Sequence, residues 1–312
     1  MNKKIALVFP GQGSQSVGML ADLYAEFAIV RETFAEASAA LGYDLWALVA
    51  NGPDADLNET HRTQPALLTA SVAVWRLWQQ QQGAEPAYLA GHSLGEYSAL
   101  VCAGVLSLAD AVKLVEKRGQ YMQSAVPAGT GAMSAIIGLD DALIAKACEE
   151  AAQGEVVAPV NYNSPGQVVI AGHKAAVERA NDLCKAAGAK RALPLPVSVP
   201  SHCALMRPAA EQLATDLKAL TFNTPVISVV NNVDVVVAAD AASIQDALVR
   251  QLFSPVRWTE TIEFLANQGV TDVIELGAGK VLSGLIKRIN KELLTTSVCD
   301  VASLQAALAA KE

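Results

Sequence analysis

Ser93 lies between two glycines in Gly91-His92-Ser93-Leu94-Gly95, where a short apolar run at residues 87 to 90 gives way to a helical stretch at 96 to 103. A serine at such a strand-to-helix junction is presented on a tight turn, with unpaired backbone N–H groups of the helix start beside it. That arrangement suits attack on a carbonyl carbon, because the same N–H groups can hold the oxyanion that forms. A glycine-serine turn without chemistry would be spelled the same way, so the rest of the chain must decide. A serine hydroxyl needs a base, most often imidazole. Of the four histidines, His61 and His173 stand in polar surroundings beside expected turns or helix starts, and His92 should point away from its neighbour Ser93 in an extended approach. His202 remains, in Val199-Pro200-Ser201-His202 ahead of a helical run at 203 to 220. It is either a base aimed into a cleft or an ordinary helix-start histidine.

Two further features bear on chemistry. The strand-like Ile5-Ala6-Leu7-Val8-Phe9 runs into Pro10-Gly11-Gln12-Gly13-Ser14-Gln15, but Ser16 occupies the third glycine position of a dinucleotide fingerprint and no Gly-Lys-Ser/Thr follows. Gly277-Ala278-Gly279-Lys280 fails as a nucleotide loop as well, since Val281 replaces the magnesium-binding hydroxyl. The first loop is left with backbone donation to an oxyanion or with a structural turn. Arg118 follows the serine by 25 residues, in a helix whose neighbours Glu116 and Lys117 mark a charged face. Pointing outward it is solvated; pointing inward, its guanidinium would clamp a carboxylate through two parallel hydrogen bonds.

With 312 residues, 52% of them hydrophobic, the chain can build one large domain or a main domain with a smaller insert. No apolar run approaches the roughly 20 residues that span a bilayer, and Met1-Asn2-Lys3-Lys4 passes directly into a strand instead of a signal-peptide core. The expectation is a cytoplasmic protein that does not engage a membrane. Five widely spaced cysteines with no Cys-x-x-Cys pair argue against a disulfide framework and against a zinc site. A net charge of −8 without any basic run argues against nucleic acid as a partner.

Short β-rich runs at 5 to 9, 87 to 90, 226 to 230 and 272 to 276 alternate with long helical regions, which implies an α/β fold with a mainly parallel sheet. Residues 131 to 198 keep a different rhythm. Strands at 132 to 138, 156 to 162, 167 to 171 and 190 to 197 alternate with helices at 140 to 152 and 174 to 187, the β-α-β-β-α-β order of a ferredoxin-like unit. Proline- and glycine-rich stretches bracket it, so residues 1–127 and 199–312 are expected to form the main catalytic domain and 128–198 an inserted one. A cleft between them would bring Ser93 and His202 together.

Taken in order, Gly11-Gln12-Gly13-Ser14-Gln15, Gly91-His92-Ser93-Leu94-Gly95-Glu96, Arg118, Asn161-Tyr162-Asn163-Ser164-Pro165-Gly166-Gln167, Pro200-Ser201-His202 and Asn231-Asn232-Val233-Asp234 resemble the malonyl-CoA:acyl carrier protein transacylases of bacterial type II fatty acid synthesis. The resemblance covers nearly the whole chain. It implies a hydrolase-like α/β domain with a ferredoxin-like insertion, and a ping-pong transfer of malonyl from malonyl-CoA to the phosphopantetheine thiol of acyl carrier protein through a malonyl-serine ester. Ser93 would be the nucleophile and His202 the base. The N–H groups of Gln12 and Leu94 would form the oxyanion hole, Arg118 would hold the malonyl carboxylate, and Asn163 and Ser201 would line the substrate pocket. The family's histidine is oriented by a main-chain carbonyl near the position of Gln251, so no aspartate is expected in that role. A neutral acceptor makes a milder base, which an activated thioester tolerates. Ala278 departs from the family's usual proline.

No ligand cluster appears, so no metal or bound cofactor is expected; a monomer is expected, and the resemblance implies acyl carrier protein as the macromolecular partner. Carrier proteins of this kind are acidic, which makes Lys190-Arg191 and Lys287-Arg288 the candidate docking pairs. A serine thioesterase that releases the acyl group to water, and an inactive module that only holds the carrier, are the competing readings. Arg118 and the glutamine-rich first loop count against the former, the intact serine, histidine and arginine against the latter.

Overall fold

A computed structural model describes residues 3–197 and 199–310. Met1 and Asn2 of the expected chain start, and residue 198 at the expected domain boundary, lie outside the described residues. The strands, in chain order, are β1 (Ile5–Phe9), β2 (Tyr88–Gly91), β3 (Gly131–Ile137), β4 (Val157–Ser164), β5 (Gln167–His173), β6 (Arg191–Pro194), β7 (Ser228–Val230), β8 (Asp272–Leu276) and β9 (Leu294–Val298). Five of them make a parallel sheet in the order β7-β2-β1-β8-β9.

β1 lies at its centre, and all five of its residues, Ile-Ala-Leu-Val-Phe, are buried. Such a continuous apolar run is what a strand covered on both faces requires. Alternation then divides it: Ile5, Leu7 and Phe9 join the larger core with Leu89 and Leu276, while Ala6 and Val8 face the opposite core with Ala90, Val273 and Trp258. Two neighbouring strands, β1 and β2, therefore end side by side at the C-terminal edge of the sheet, the usual position for a site in such folds. Glycine is needed there. A Cβ on Gly91 would stand 1.8 Å from the Gly95 carbonyl carbon, and one on Gly95 would stand 2.1 Å from the Phe9 carbonyl oxygen.

The remaining strands form an antiparallel sheet in the order β4-β5-β3-β6, with helices Asp141–Ala152 and Lys174–Ala186 packed on one face. This is the expected ferredoxin-like unit. Its other face carries Met133, Val160, Val169 and Ala171 against Cys203, the residue after His202. Edge strand β4 is tied to the main sheet's side of the molecule by backbone bonds, Tyr162 N–H to Val256 O and Val256 N–H to Val160 O. The small sheet thus backs the segment that carries the histidine.

Most element ends shift from expectation by one or two residues, as β4 and β5 do at their C-terminal ends, and three differences have a physical cause. The strand expected at 226 to 230 pairs only over Ser228–Val230, and Val226 is 79% exposed with its N–H bonded to Ala103 O. The strand expected at 190 to 197 ends at Pro194; Leu195 N–H still donates to Met133 O of β3, and the chain then turns, with Val197 N–H bonded to Leu195 O. The helix expected from residue 203 begins as a 3₁₀ turn at Ala204–Met206 and becomes α-helical at Arg207–Ala219, where Pro208 occupies the first turn.

Glu275, fully buried near the end of β8, accepts from the N–H groups of Leu282 and Ser283 and from the Ser283 hydroxyl, and so caps helix Val281–Ile289. Removing it strands buried donors. Glu275→Ala should lower unfolding stability by about 3 kcal/mol, read as a shift in the urea midpoint; an unchanged midpoint would show that the cap is dispensable.

Candidate active site

Ser93 occupies the turn between β2 and helix Gly95–Cys102 with φ at 51°, a left-handed conformation unusual for a non-glycine residue. Its hydroxyl lies 2.7 Å from Nε2 of His202. The other ring nitrogen of His202, Nδ1, is 2.7 Å from the main-chain carbonyl of Gln251. A carbonyl only accepts, so Nδ1 carries the proton, and Nε2 is left with a free lone pair to accept from the serine O–H. His202 is 4% exposed, and its pKa is pushed down to about 3, first by burial and then by the positive charge of Arg118, with the Gln251 carbonyl opposing. The imidazole is therefore neutral at ordinary pH.

Arg118 points inward. It shares the buried stripe of helix Leu108–Ser124 with Ala111, Leu114, Val115 and Met122, and is itself 1% exposed. Nη1 donates to Gln64 Oε1 at 2.8 Å and Nη2 to Gln251 Oε1 at 2.9 Å, with Ser93 Oγ at 3.4 Å from Nη2. The guanidinium also lies over the Tyr97 ring at 5.3 Å. Its Nε has no partner, and among the described residues no carboxylate contacts it directly. Burial lowers its pKa, while Tyr97 and the nearby Glu96 raise it. A desolvated cation satisfied only by neutral groups is a ready acceptor site for an anion.

The serine turn is braced from below. Asn232 Oδ1 accepts the Ser93 N–H at 2.8 Å and Asn232 Nδ2 donates to Gly91 O at 2.6 Å. Glu96, 2% exposed, accepts from the Asn232 N–H and from Gln251 Nε2. Burial raises its pKa to about 7 against the pull of those donors and of Arg118.

The N–H groups of His92, Gly95 and Glu96 are bonded to Phe9 O, His92 O and Ser93 O, whereas no acceptor among the described residues engages those of Gln12 and Leu94. The loop carrying Gln12 presses on the serine turn, since a Cβ on Gly11 would stand 2.4 Å from His92 O. Gln12 also lines a cleft of about 320 Å³ with Thr60, Gln123, Pro127, Pro196 and Val199, between the two junctions of the small domain. Asn163, expected in the substrate pocket, accepts from His92 Nε2 through its Oδ1 at 2.8 Å, and Ser201 is half-buried with its N–H bonded to Val199 O. His92 packs against Trp258, away from the serine hydroxyl, as expected. A larger hollow of about 530 Å³ bounded by Tyr24, Phe34 and Trp46 contains none of these groups.

Residues 6–307 match the acyl transferase domain family. The malonyl CoA-acyl carrier protein transacylase of Salmonella typhimurium is 69% identical over 98% of this chain and 99% of its own, and that of Bacillus subtilis 46% identical over 98% and 96%. The chain belongs to the malonyl-CoA:acyl carrier protein transacylase family. A crystal structure of an acyl carrier protein S-malonyltransferase from Vibrio cholerae superposes with a TM-score of 0.96 at 70% identity, covering 97% of this chain and 99% of that one. A malonyl-transacylase solved in complex with its type II PKS acyl-carrier protein superposes with a TM-score of 0.98 at 63% identity, covering 99% of this chain and all of that one.

Reading the sequence singles out neither Gln64 nor the side-chain bonds of Asn232, Glu96 and Gln251, although all four residues surround the transacylase serine and arginine. Glu96 left one trace: it is an acid in a helix whose other residues are small, apolar or tyrosine. Because the imidazole is held neutral, ¹⁵N NMR should report His202 as the Nδ1–H tautomer with no protonation down to about pH 5. A titration centred near the ordinary histidine value would contradict its desolvation.

Proposed function

We propose that this chain transfers the malonyl group from malonyl-CoA to the phosphopantetheine thiol of acyl carrier protein, in the service of fatty acid synthesis. The observation that carries this reading is the buried Arg118 guanidinium, 3.4 Å from the serine oxygen and partnered only by neutral side chains. An acyl group ending in a carboxylate completes its coordination; an acetyl group leaves it unpaired, with the desolvation penalty that follows.

In the first half-reaction Ser93 Oγ attacks the thioester carbon while His202 Nε2 takes the hydroxyl proton. The N–H groups of Gln12 and Leu94 hold the oxyanion, a contribution of about 3 kcal/mol per donor in other enzymes. Collapse breaks the carbon–sulfur bond, and His202 returns the proton to the CoA thiolate. In the second half-reaction His202 takes the proton of the incoming pantetheine thiol, whose sulfur attacks the ester carbon; collapse breaks the carbon–Oγ bond, and His202 returns the proton to Ser93. The imidazolium formed in each step faces only the Gln251 carbonyl, yet the malonyl carboxylate neutralises Arg118, whose charge otherwise depresses the basicity of His202. The acyl group so improves its own base. Asn163 acts through His92, and Ser201 borders the acyl pocket next to the base. We take residues 1–127 and 199–312 as the catalytic domain and 128–198 as its insert. No helix among the described residues is long and apolar enough to cross a membrane, and no three His, Cys, Asp or Glu side chains gather there as a metal site requires. We read the chain as a cytoplasmic monomer that works with its two substrates and no bound cofactor.

Acyl carrier protein docks, on this reading, at the end of the small sheet. Arg191 pairs with Ile137, Ile137 with Gln167, and Arg288 donates to Gln167 Oε1, so the two exposed dibasic pairs converge beside the β4-β5 hairpin that carries Asn163. Reversing the charge of Lys190-Arg191 or of Lys287-Arg288 should raise the apparent KM for the carrier while malonyl-CoA loading stays unchanged. An equal loss in loading would sink the assignment.

The direct test is intact mass after acid quench within seconds of mixing with equal malonyl-CoA and acetyl-CoA. The native chain should carry mainly a malonyl adduct, Ser93→Ala none, and Arg118→Ala should lose about a hundredfold in malonyl loading with no loss in acetyl loading. Equal malonyl and acetyl adducts on the native chain would remove Arg118 from its role, and no adduct would point to hydrolysis or to an inactive carrier-binding module.

A further inference from the structure

The chemistry of serine, histidine and arginine gives Glu96 no part in the reaction, and Asn232 none beyond bracing the serine turn, although both are almost wholly buried within hydrogen-bond reach of the reacting unit. Their shared contact is Gln251. The main chain of Gln251 serves His202, and its side chain serves Arg118 through Oε1. An amide can be turned end for end at little steric cost, so something must fix which end faces the guanidinium.

Three acceptors surround the nitrogen end. Gln251 Nε2 lies 2.9 Å from Glu96 Oε2, 3.0 Å from Ser93 O and 3.4 Å from Asn232 Oδ1. Asn232 cannot turn to become a donor there, because its Oδ1 is held by the Ser93 N–H and its Nδ2 by the Gly91 carbonyl. Ser93 O is a main-chain carbonyl that also accepts the Glu96 N–H. The strongest acceptor of the three is the Glu96 carboxyl, whose Oε2 also receives the Asn232 N–H at 3.0 Å. At the other end, Arg118 only donates. We propose that Glu96 is a positioning residue for acyl selection: its Oε2 fixes the Gln251 amide with Oε1 toward Arg118, and thereby holds the guanidinium beside Ser93.

This rests on the reading of Arg118 as the contact for the malonyl carboxylate. Without the Glu96 acceptor, the Gln251 amide loses the strongest of the three partners that hold its NH₂ away from Arg118; each turn of that amide places donor against donor and displaces the guanidinium from the carboxylate position. Acetyl loading places no carboxylate on Arg118 and is spared that effect. Any loosening of the serine turn through Asn232 would slow both donors alike and cancels in their ratio.

The test is the ratio of malonyl to acetyl loading, with KM and kcat measured separately for each donor. Glu96→Leu should lower the ratio about tenfold, mainly through a higher KM for malonyl-CoA. Glu96→Gln presents an amide oxygen to the same two donors and should keep the ratio within about twofold of the native chain. Should Glu96→Leu fail to fold, Gln251→Leu retains the carbonyl that His202 needs and removes the amide, and it must lower the ratio as far. An unchanged ratio in either leucine variant overturns the proposal, as does a Glu96→Gln variant that loses selectivity like the leucine one. Arg118→Ala separates the two levels. If it keeps the native ratio, the reading of Arg118 itself fails; if it loses the ratio while Glu96→Leu and Gln251→Leu retain it, only the role of Glu96 does.

Discussion

A single buried positive charge, the Arg118 guanidinium, constrains most of what surrounds the serine. Burying an unpaired ion costs several kcal/mol even after relaxation, so the interior around it must be polar enough to hold the charge yet free of any acid that would satisfy it outright. Two glutamine oxygens and the face of Tyr97 meet the first condition. The second is met by distance: Glu96 reaches the arginine only through the Gln251 amide. An acid in direct contact would have closed the site to a carboxylate. The same charge reaches the base as well, since it is the second cause, after burial, of the lowered pKa of His202. Selection of the acyl group and strength of the base are therefore two effects of one ion.

The fold supplies these groups from distant parts of the chain. β1 and β2 end together and bring the Gln12 loop against the serine turn, helix Leu108–Ser124 carries the arginine beneath it, and helix Ala241–Gln251 ends at the residue that faces both base and arginine. His202 arrives last, on a segment whose next residue is packed into the small sheet. Its φ of 63° is left-handed, a conformation that costs a non-glycine residue about 1 kcal/mol or more and persists only where the surroundings impose it. The Gln251 carbonyl on one ring nitrogen and the serine on the other are those surroundings.

Much of this was legible in the sequence, and the parts that were not share a physical reason. The continuous apolar Ile5–Phe9, the glycines about Ser93 and the β-α-β-β-α-β rhythm each have a steric or periodic cause that is written in residue types. Arg118 was ambiguous because Glu116 and Lys117 advertise a wet face, yet Ala111, Val115 and Met122 stand at helical spacing from it and mark its stripe as the dry one. The orienting carbonyl of Gln251 has no signature of its own, since any residue supplies one; only the resemblance pointed there. Glu96 and Asn232 stand within the family's motifs but had no role to read there, and Gln64 was missed, because nothing local distinguishes a buried amide or acid from a solvated one. Val226 misled in the opposite sense: it is apolar, β-branched and exposed beside an edge strand.

Helix Leu108–Ser124 runs without a break from the floor of the site to its rim, where Gln123 borders the cleft and is hydrogen-bonded to His61. Five residues separate Arg118 from Gln123, roughly 7.5 Å along the axis, and Gly119 lets this stretch lie directly on the backbone of His61. The helix that carries the buried charge beside the serine therefore also walls the cleft above it, so the anion contact and the entrance are parts of one rigid element.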